Sequence, residues 1–151
     1  MKHLGQLDTM AEWSTWVPLK EAIATAPLLP GVYMAREGAR GAIVYVGMAG
    51  ERAGKGIRGR LHVYSRGKGL VSGLGEAAMD RALADPAWLR ARLAEVEAGE
   101  PMRAKQWGQA AIERADLQLR WAVTADRHAA RALERAVLSS LVSHELWNRL
   151  R

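Results

Sequence analysis

Two short runs with strand character, separated by a five-residue link, constrain the fold of this chain more than any other feature. The runs are residues 31–36 and 42–47, which are rich in Val, Ile and Tyr, and the link is Glu37-Gly38-Ala39-Arg40-Gly41. β-Branched and aromatic residues favour strands, and a short polar link that contains glycine favours a hairpin turn. The sequence therefore predicts a β-hairpin, and with it an antiparallel sheet.

A third strand is predicted near the other end of the chain, because apolar and polar side chains alternate from Leu117 to Val123. The rest of the chain carries helical patterns with recognisable start and stop signals. The first two helices are expected over Pro18–Thr25 and about 55–64. Asp85 caps a third helix, which begins at Pro86 and is closed by Gly99. A fourth helix runs from Pro101 to about Ala115, and a long last helix runs from about Arg127 to Trp147 after a cap at Asp126 or Thr124. The expected fold class is α+β, with a small three-stranded antiparallel sheet flanked by helices.

The length of 151 residues suggests a single domain over residues 1–151. Residues 1–30 form an N-terminal segment, and residues 66–115 read as a helical insertion that begins with the Gly-rich stretch 66–75. Trp88 and Trp107 are expected to pack the helices of this insertion onto the body of the protein.

Composition limits the classes of partner and chemistry. The chain has no Cys, which excludes disulfides and thiolate metal sites and suits a reducing, cytoplasmic setting. No apolar run approaches the roughly 20 residues that span a bilayer, so no membrane-spanning segment and no partner within a membrane are expected. The net charge of +6 favours a polyanionic partner, with nucleic acid first and a membrane surface second. An ordinary soluble helical protein would fit the same composition.

Tyr33 and Tyr45 are the first candidates for chemistry. If the hairpin turn is centred on Ala39, Tyr33 lies opposite Tyr45, Val32 opposite Val46 and Met34 opposite Val44. One face of the hairpin is then apolar, and the other presents two phenols. A cross-strand aromatic pair that only stabilises the sheet explains the same pattern.

Arg58 and His62 lie four residues apart, so a helix would place a cation and a base on one face. In phosphodiester cleavage, arginine stabilises charge on the phosphoryl oxygens, and histidine or a phenol handles the proton of an attacking water. The alternative is a solvated basic helix face, to which Arg60 and Arg66 would also belong.

Glu134 falls inside the apolar stripe of the last helix. A carboxylate there costs several kcal/mol unless a cation or a set of hydrogen bonds receives it. The partner is either a divalent metal ion or one of three arginines, and Asn148 is either a helix C-cap or a functional residue. The stripe consists of Ala130, Leu133, Val137, Leu138 and Leu141, and the arginines are Arg58, Arg60 and Arg120.

Together these residues resemble the GIY-YIG nuclease family. The resemblance lies in Gly31-Val32-Tyr33, Tyr45-Val46-Gly47, the Arg-x-x-x-His spacing, the late helical glutamate and Asn148, over residues 27–64 and 117–148. It implies a metal-dependent DNA endonuclease that uses one Mg²⁺ or Mn²⁺ ion, with the helices between residues 70 and 115 inserted into the family core.

The resemblance also implies roles for individual residues. Glu134 would hold the metal, Arg58 would steady the phosphate, and Tyr33 would be the base or position the water, assisted by Tyr45 and His62. Whether Tyr33 or His62 is the base stays open, because an unperturbed phenol titrates near 10. Asn148 completes the catalytic set. The residues expected to contact DNA are Arg52, Lys55, Arg60, Arg66 and Lys68.

One departure from the family pattern is Met48, which stands where many members carry Lys or Gln. It supports an alternative function, a catalytically silent module that binds DNA or recognises its structure. Sequence specificity would come from the helical insertion, from a homodimer, or from a partner protein. In a third alternative, the helices of residues 76–115 form a protein interaction surface. Their residues do not indicate which kind of partner would bind there.

Overall fold

The computed structural model describes residues 2–69 and 73–149. Within these ranges the chain forms four strands and seven α-helices, so the α+β class is confirmed. A short 3-10 turn over Arg52–Gly54 precedes the third helix. No helix among the described residues is long and apolar enough to cross a membrane. The elements are α1 (Lys2–Met10), β1 (Val17–Pro18), α2 (Leu19–Thr25), β2 (Gly31–Glu37), β3 (Ile43–Ala49), α3 (Gly56–Ser65), α4 (Gly73–Leu83), α5 (Pro86–Glu97), α6 (Ala104–Ala115), β4 (Leu117–Val123) and α7 (Arg127–Ser140).

The sheet has four strands in the order β1-β4-β2-β3, with every neighbouring pair antiparallel. The three predicted strands are present, but the predicted number of three is too low because β1 adds a fourth strand. This strand contributes only Val17 and Pro18, which pair with Leu119 and Gln118. Two residues are too few to show an alternating pattern, and a proline is tolerated because β1 lies at the edge of the sheet.

The predicted register of the hairpin was wrong by two residues. Tyr33 lies opposite Gly47, and Ala35 lies opposite Tyr45, with a bulge beyond Ala35 that places one extra residue on β3. Glycine is needed opposite Tyr33, because a Cβ atom on Gly47 would lie 2.3 Å from the Tyr33 hydroxyl oxygen. Since side chains alternate with a period of two, this shift leaves Tyr33 and Tyr45 on the same face.

Both faces of the sheet are buried. The face that carries Tyr33 packs against α2, α3, α4 and α6, and the face that carries Val32 and Met34 packs against α1 and α7. Tyr33 and Met34, neighbours in sequence, therefore belong to two different cores. Because helices cover both faces of the sheet, a polar side chain on the face that packs against α3 lies in the protein interior unless a cleft opens beside it.

The helical insertion contains α4, α5 and α6. The side chain of Asp85 accepts hydrogen bonds from two backbone amides at the start of α5, and Gly99 follows its end with a positive φ, as the sequence predicts. Trp88 and Trp107 form an edge-to-face pair with ring centroids 5.3 Å apart. The expected helix start at Pro101 was wrong: α6 begins at Ala104, because the hydrogen bond that closes its N-terminus runs from the Arg103 amide to Gln106. Within the Gly-rich stretch 66–75, residues 70–72 lie outside the described residues.

The last helix ends at Ser140, so its predicted extension to Trp147 was wrong, although Asp126 caps its start as expected. The chain after α7 returns to the free edge of β3. The Trp147 amide donates to the Val44 carbonyl, and the Asn148 side chain bonds both backbone groups of Val46. An edge strand exposes unpaired backbone groups, and this C-terminal segment satisfies three of them.

Candidate active site

Three tyrosine side chains meet between the sheet and α3. Tyr33 comes from β2, Tyr45 from β3 and Tyr64 from α3. The hydroxyl groups of Tyr33 and Tyr64 are hydrogen-bonded at 2.8 Å, and the ring centroid of Tyr33 lies 6.3 Å from that of each of the other two. We call these three residues the tyrosine cluster. Tyr33 and Tyr64 are fully buried, and Tyr45 is 8% exposed.

The start of α4 approaches the tyrosine cluster closely. Gly73 has a φ of +55°, and a Cβ atom there would lie 2.8 Å from the Tyr64 hydroxyl and 3.0 Å from that of Tyr45. Glycine is therefore required both by the backbone conformation and by the space. The first residue of α4 lies over the hydroxyl groups, so the helical insertion contributes to the enclosure of the cluster.

Arg60 is the cation of the tyrosine cluster. Its guanidinium carbon lies 5.0 Å from the ring centroid of Tyr64, and a Cβ atom on Gly73 would lie 3.2 Å from its terminal nitrogen. Burial acts to lower the pKa of Arg60, but the phenols of Tyr33, Tyr64 and Tyr45 outweigh it, so the net shift is upward. Within the described residues no carboxylate forms an ion pair with Arg60. A partly buried guanidinium with neutral hydroxyl neighbours is suited to receive an anion.

Burial raises the pKa of Tyr33 well above its ordinary value, and the neighbouring phenols of Tyr64 and Tyr45 add to the rise. Burial raises the pKa of Tyr45 in the same way. Both side chains are therefore neutral near physiological pH. They can donate a hydrogen bond to an oxyanion or hold a water molecule, but they are weaker acceptors of a proton than an exposed phenolate.

Glu134 lies half-buried on α7, where burial raises its pKa and the charges of Arg131 and Arg135 act in the opposite direction. Its own charge is a minor contribution to the raised pKa of Tyr45, so the two groups lie within electrostatic range. Among the described residues it has no hydrogen bond or ion pair, and in particular none with Arg58, Arg60 or Arg120. The carboxylate is thus available to a ligand.

The surroundings of Glu134 bear on metal binding. It lines a cavity of about 880 Å³ together with Asn148, Arg131 and Arg135. No group of three or more His, Asp or Glu side chains suited to a metal occurs within residues 2–69 and 73–149. A lone carboxylate fits Mg²⁺, which keeps several of its waters and commonly shares its remaining positions with a substrate phosphate. The donor set therefore fits a loosely held Mg²⁺ or Mn²⁺ ion and does not fit a fully protein-ligated one.

The structure does not bring Arg58 and His62 to the tyrosine cluster. At about 100° per residue, Arg58 and Arg60 point roughly 160° apart around α3. The Arg58 Nε donates to the Ala26 carbonyl at 2.7 Å. Both Arg58 and His62 line a separate cavity of about 610 Å³ on the outer side of α3.

This outer cavity gathers several of the residues predicted to contact DNA. Arg52, Lys55 and Arg66 line it beside Arg58 and His62, and no acidic residue lines it among those described. Lys68 is exposed on the turn after α3. Arg60, the remaining residue of the predicted DNA-binding set, belongs to the tyrosine cluster instead. We call this surface the α3 basic cavity.

Asn148 and Met48 have structural surroundings that the sequence did not indicate. Asn148 is neither a helix cap nor part of the tyrosine cluster, because its side chain bonds the β3 edge at Val46. Met48 lies opposite Val32 and packs into the core beneath α1 and α7, on the face away from the tyrosines. A Met in this position therefore removes no side chain from the cluster itself.

Sequence reasoning missed Tyr64 as a site residue and placed Arg60 only among the DNA contacts. A signal was present, because Arg60 and Tyr64 repeat the four-residue spacing of Arg58 and His62. Tyr64 also continues the apolar stripe of Ile57 and Leu61, all three of which are buried. Burial in this stripe accounts for the ring of Tyr64 but gives no information about the neighbours of its hydroxyl group.

Comparison of the chain with known protein families, with curated proteins and with solved structures finds no match.

Proposed function

We propose that this protein hydrolyses phosphodiester bonds of DNA with the help of a divalent metal ion. The observation that carries the proposal is the meeting of three tyrosine hydroxyl groups and one guanidinium, Arg60, that lacks an anionic partner in the described part of the chain. The resemblance to GIY-YIG nucleases supports it through Tyr33, Tyr45 and Glu134. The net charge of +6 is consistent with a polyanionic substrate.

Arg60 would stabilise the charge that develops on the phosphoryl oxygens. A guanidinium that is held in place and partly removed from water acts on such charge more strongly than an exposed one. Its pKa is raised, so it keeps its proton throughout the reaction. This assignment differs from the sequence-based one, in which Arg58 steadied the phosphate. Arg58 would instead contact the DNA backbone.

The tyrosine cluster would bind the phosphate and orient the attacking water. Because burial raises the pKa of Tyr33, its hydroxyl is a hydrogen-bond donor near neutral pH. Tyr64 bonds that hydroxyl and holds it in one orientation. His62 faces the α3 basic cavity and takes no part in this arrangement. Rate acceleration would come mainly from positioning and charge stabilisation.

Glu134 would hold the Mg²⁺ or Mn²⁺ ion, which would supply positive charge to the reaction. Its carboxylate must be ionised to do so. Because the pKa of Glu134 is raised by burial, the ion would bind less well as the pH falls through that raised value.

The α3 basic cavity would guide the DNA. Arg52, Lys55, Arg58 and Arg66 are charges that can contact successive phosphates without reading the bases. Specificity would come from helices α4 to α6, from a second copy of the chain, or from a partner protein. A cytoplasmic location fits a chain that contains no Cys.

One observation favours a second function, in which the chain binds DNA without cutting it. Tyr33 and Tyr64 are fully buried beneath the start of α4. A phosphate can reach their hydroxyl groups only if residues that cover them, among them Gly73, move. If these residues do not move, the hydroxyl groups form a structural hydrogen-bonded cluster, and only the α3 basic cavity contacts DNA.

A nicking assay on supercoiled plasmid with Mg²⁺ or Mn²⁺ separates the two functions. Wild type should nick the plasmid, whereas Glu134→Ala and Arg60→Ala should bind it in a salt-dependent way but leave it intact. Arg40→Ala is the matched control, because Arg40 is an exposed arginine on the turn between β2 and β3. If wild type also binds without nicking, the protein is a binding module. If Arg60→Ala cuts as well as wild type, the proposed site is wrong.

A further inference from the structure

A second cluster of arginines lies on the opposite face of the sheet from the tyrosines. Arg120 on β4 pairs with Met34, and Arg36 on β2 pairs with Gln118. Arg36 and Arg120 are thus diagonal neighbours on the face that packs against α1 and α7. Burial lowers the pKa of Arg120 most strongly, Asp8 acts in the opposite direction, and the charge of Arg36 is a smaller contribution that lowers it further.

Tryptophan rings hold both guanidiniums in place. The guanidinium carbon of Arg36 lies 4.5 Å from the Trp16 ring centroid, and that of Arg120 lies 5.0 Å from the same centroid. Arg120 also lies 5.1 Å from the ring of Trp13. Stacking uses the flat face of a guanidinium and leaves the N–H groups at its edge available for hydrogen bonds. The pair is therefore preorganised.

Within the part of the chain that the structure describes, the two guanidiniums of Arg36 and Arg120 have fewer negative charges around them than their own two positive charges. Arg36 bonds the neutral amide oxygen of Gln118 through two nitrogens, at 3.1 and 2.6 Å. Arg120 has one carboxylate neighbour, Asp8, at 3.4 Å, and the Asp8 side chain is 66% exposed. The buried Arg120 Nε has no hydrogen-bond partner among the described residues. A buried N–H group without an acceptor is unfavourable, and so is a second guanidinium close to it. A ligand that accepts hydrogen bonds and carries negative charge would relieve both.

Both arginines line a cavity of about 330 Å³ that also contacts Asp8, Trp16 and His144. This volume is at the lower end of the roughly 300 to 1,000 Å³ that small-molecule sites occupy. A phosphate monoester carries a charge of roughly −1.5 to −2 near neutral pH and three acceptor oxygens. It can therefore satisfy two guanidiniums together, which a single carboxylate such as Asp8 does not.

We propose that Arg36 and Arg120 form a binding site for a phosphate monoester, with Trp16 as the platform that holds the two guanidiniums. The source of the phosphate is either a free mononucleotide or the phosphorylated end of a DNA strand. The site is separate from the tyrosine cluster, and it does not depend on the proposed nuclease activity.

The site can be tested by NMR titration of the full chain, observing the Arg120 Nε–H and the Trp16 indole signals. The probes are inorganic phosphate, a deoxynucleoside monophosphate, and one oligonucleotide with and without a 5′-phosphate. Saturable shifts with the phosphate monoesters are expected. Tighter binding of the 5′-phosphorylated oligonucleotide than of the mononucleotide assigns the source to a DNA end, and the reverse order assigns it to a free nucleotide; both results support the site.

Arg36→Gln should weaken phosphate binding at least tenfold. Arg40→Gln is the matched control, because it makes the same change four residues away on an exposed turn and should bind as wild type does. Arg36→Lys keeps the charge without the two-nitrogen contact, and an intermediate affinity is expected. Trp indole signals that stay dispersed show that each variant is folded. The proposal is overturned if no probe gives saturable shifts, or if Arg36→Gln binds phosphate as tightly as Arg40→Gln.

Discussion

Asn148 gives the sharpest test of a structural against a catalytic role. Its Oδ1 accepts a hydrogen bond from the Val46 amide at 3.0 Å, and its Nδ2 donates to the Val46 carbonyl at 2.7 Å. One side-chain amide thus satisfies both backbone groups of a residue on the free edge of β3. Replacing Asn148 with Ala removes both bonds and leaves these partly buried groups unpaired.

The magnitude follows from the two bonds. Each intramolecular hydrogen bond contributes about 0.5 to 1.5 kcal/mol, so Asn148→Ala should lower the free energy of unfolding by about 1 to 3 kcal/mol. For a chain of this length that corresponds to a fall in the melting temperature of roughly 2 to 12 °C. Asn148→Asp should also be destabilising near neutral pH, because its carboxylate can still accept from the Val46 amide but cannot donate to the Val46 carbonyl.

Urea unfolding followed by tryptophan fluorescence measures this change, and the plasmid assay measures cleavage by the same variants below their unfolding midpoint. Ser143→Ala is the control, because Ser143 is an exposed residue in the same C-terminal segment. A folded Asn148→Ala protein should keep most of its cleavage activity. If it unfolds as wild type does but has lost cleavage, Asn148 acts in the chemistry and the structural reasoning is refuted.

Three further predictions test the site. Gly47→Ala should lower the free energy of unfolding by about 1 to 3 kcal/mol, because its Cβ would lie 2.3 Å from the Tyr33 hydroxyl; an unchanged urea midpoint would mean that the Tyr33 ring can move aside. Arg60→Ala should reduce kcat/KM by roughly a hundredfold or more, whereas Arg58→Ala should mainly weaken DNA binding and reduce its salt dependence by about one counterion; equal effects of the two variants on cleavage and binding would contradict the assignment. Glu134→Gln should be more stable than wild type near neutral pH by no more than about 1 kcal/mol, because burial raises the pKa of Glu134 and disfavours its ionised form. That difference should vanish as the pH falls below the usual pKa of Glu, and a variant less stable than wild type at neutral pH would show that the carboxylate has a stabilising partner.

Features that depend on neighbouring residues were predictable from the sequence. The hairpin and β4 follow from local β propensity and alternation, and the Asp85 cap and the Gly99 stop follow from the chemistry of helix ends. The shared face of Tyr33 and Tyr45 was also predictable, although the register was not, because a shift of two residues preserves the face. The turn accounts for one residue of the shift, because Arg36 lies opposite Ile43 and not Ala42, and the bulge beyond it accounts for the other.

The choice between two helical pairs on α3 was not predictable. Arg58 with His62 and Arg60 with Tyr64 have the same spacing, and both pairs combine a cation with a group that can handle a proton. Periodicity assigns Tyr64 to the buried stripe but does not say which residues will surround its hydroxyl group. Only the packing of α3 against β2 brings Tyr64 within 2.8 Å of Tyr33 and leaves Arg58 at the Ala26 carbonyl.

Local patterns in the sequence were sufficient to predict the α+β class, the three longer strands and the shared face of the two hairpin tyrosines, because these features arise from interactions between residues close together in the chain. Only the packing of whole elements brings Arg60 and Tyr64 to those tyrosines, places Gly73 over them and places Asn148 along the β3 edge. Each of these contacts joins segments far apart in sequence. Their geometry depends on how whole elements pack, which a local pattern of residues does not specify.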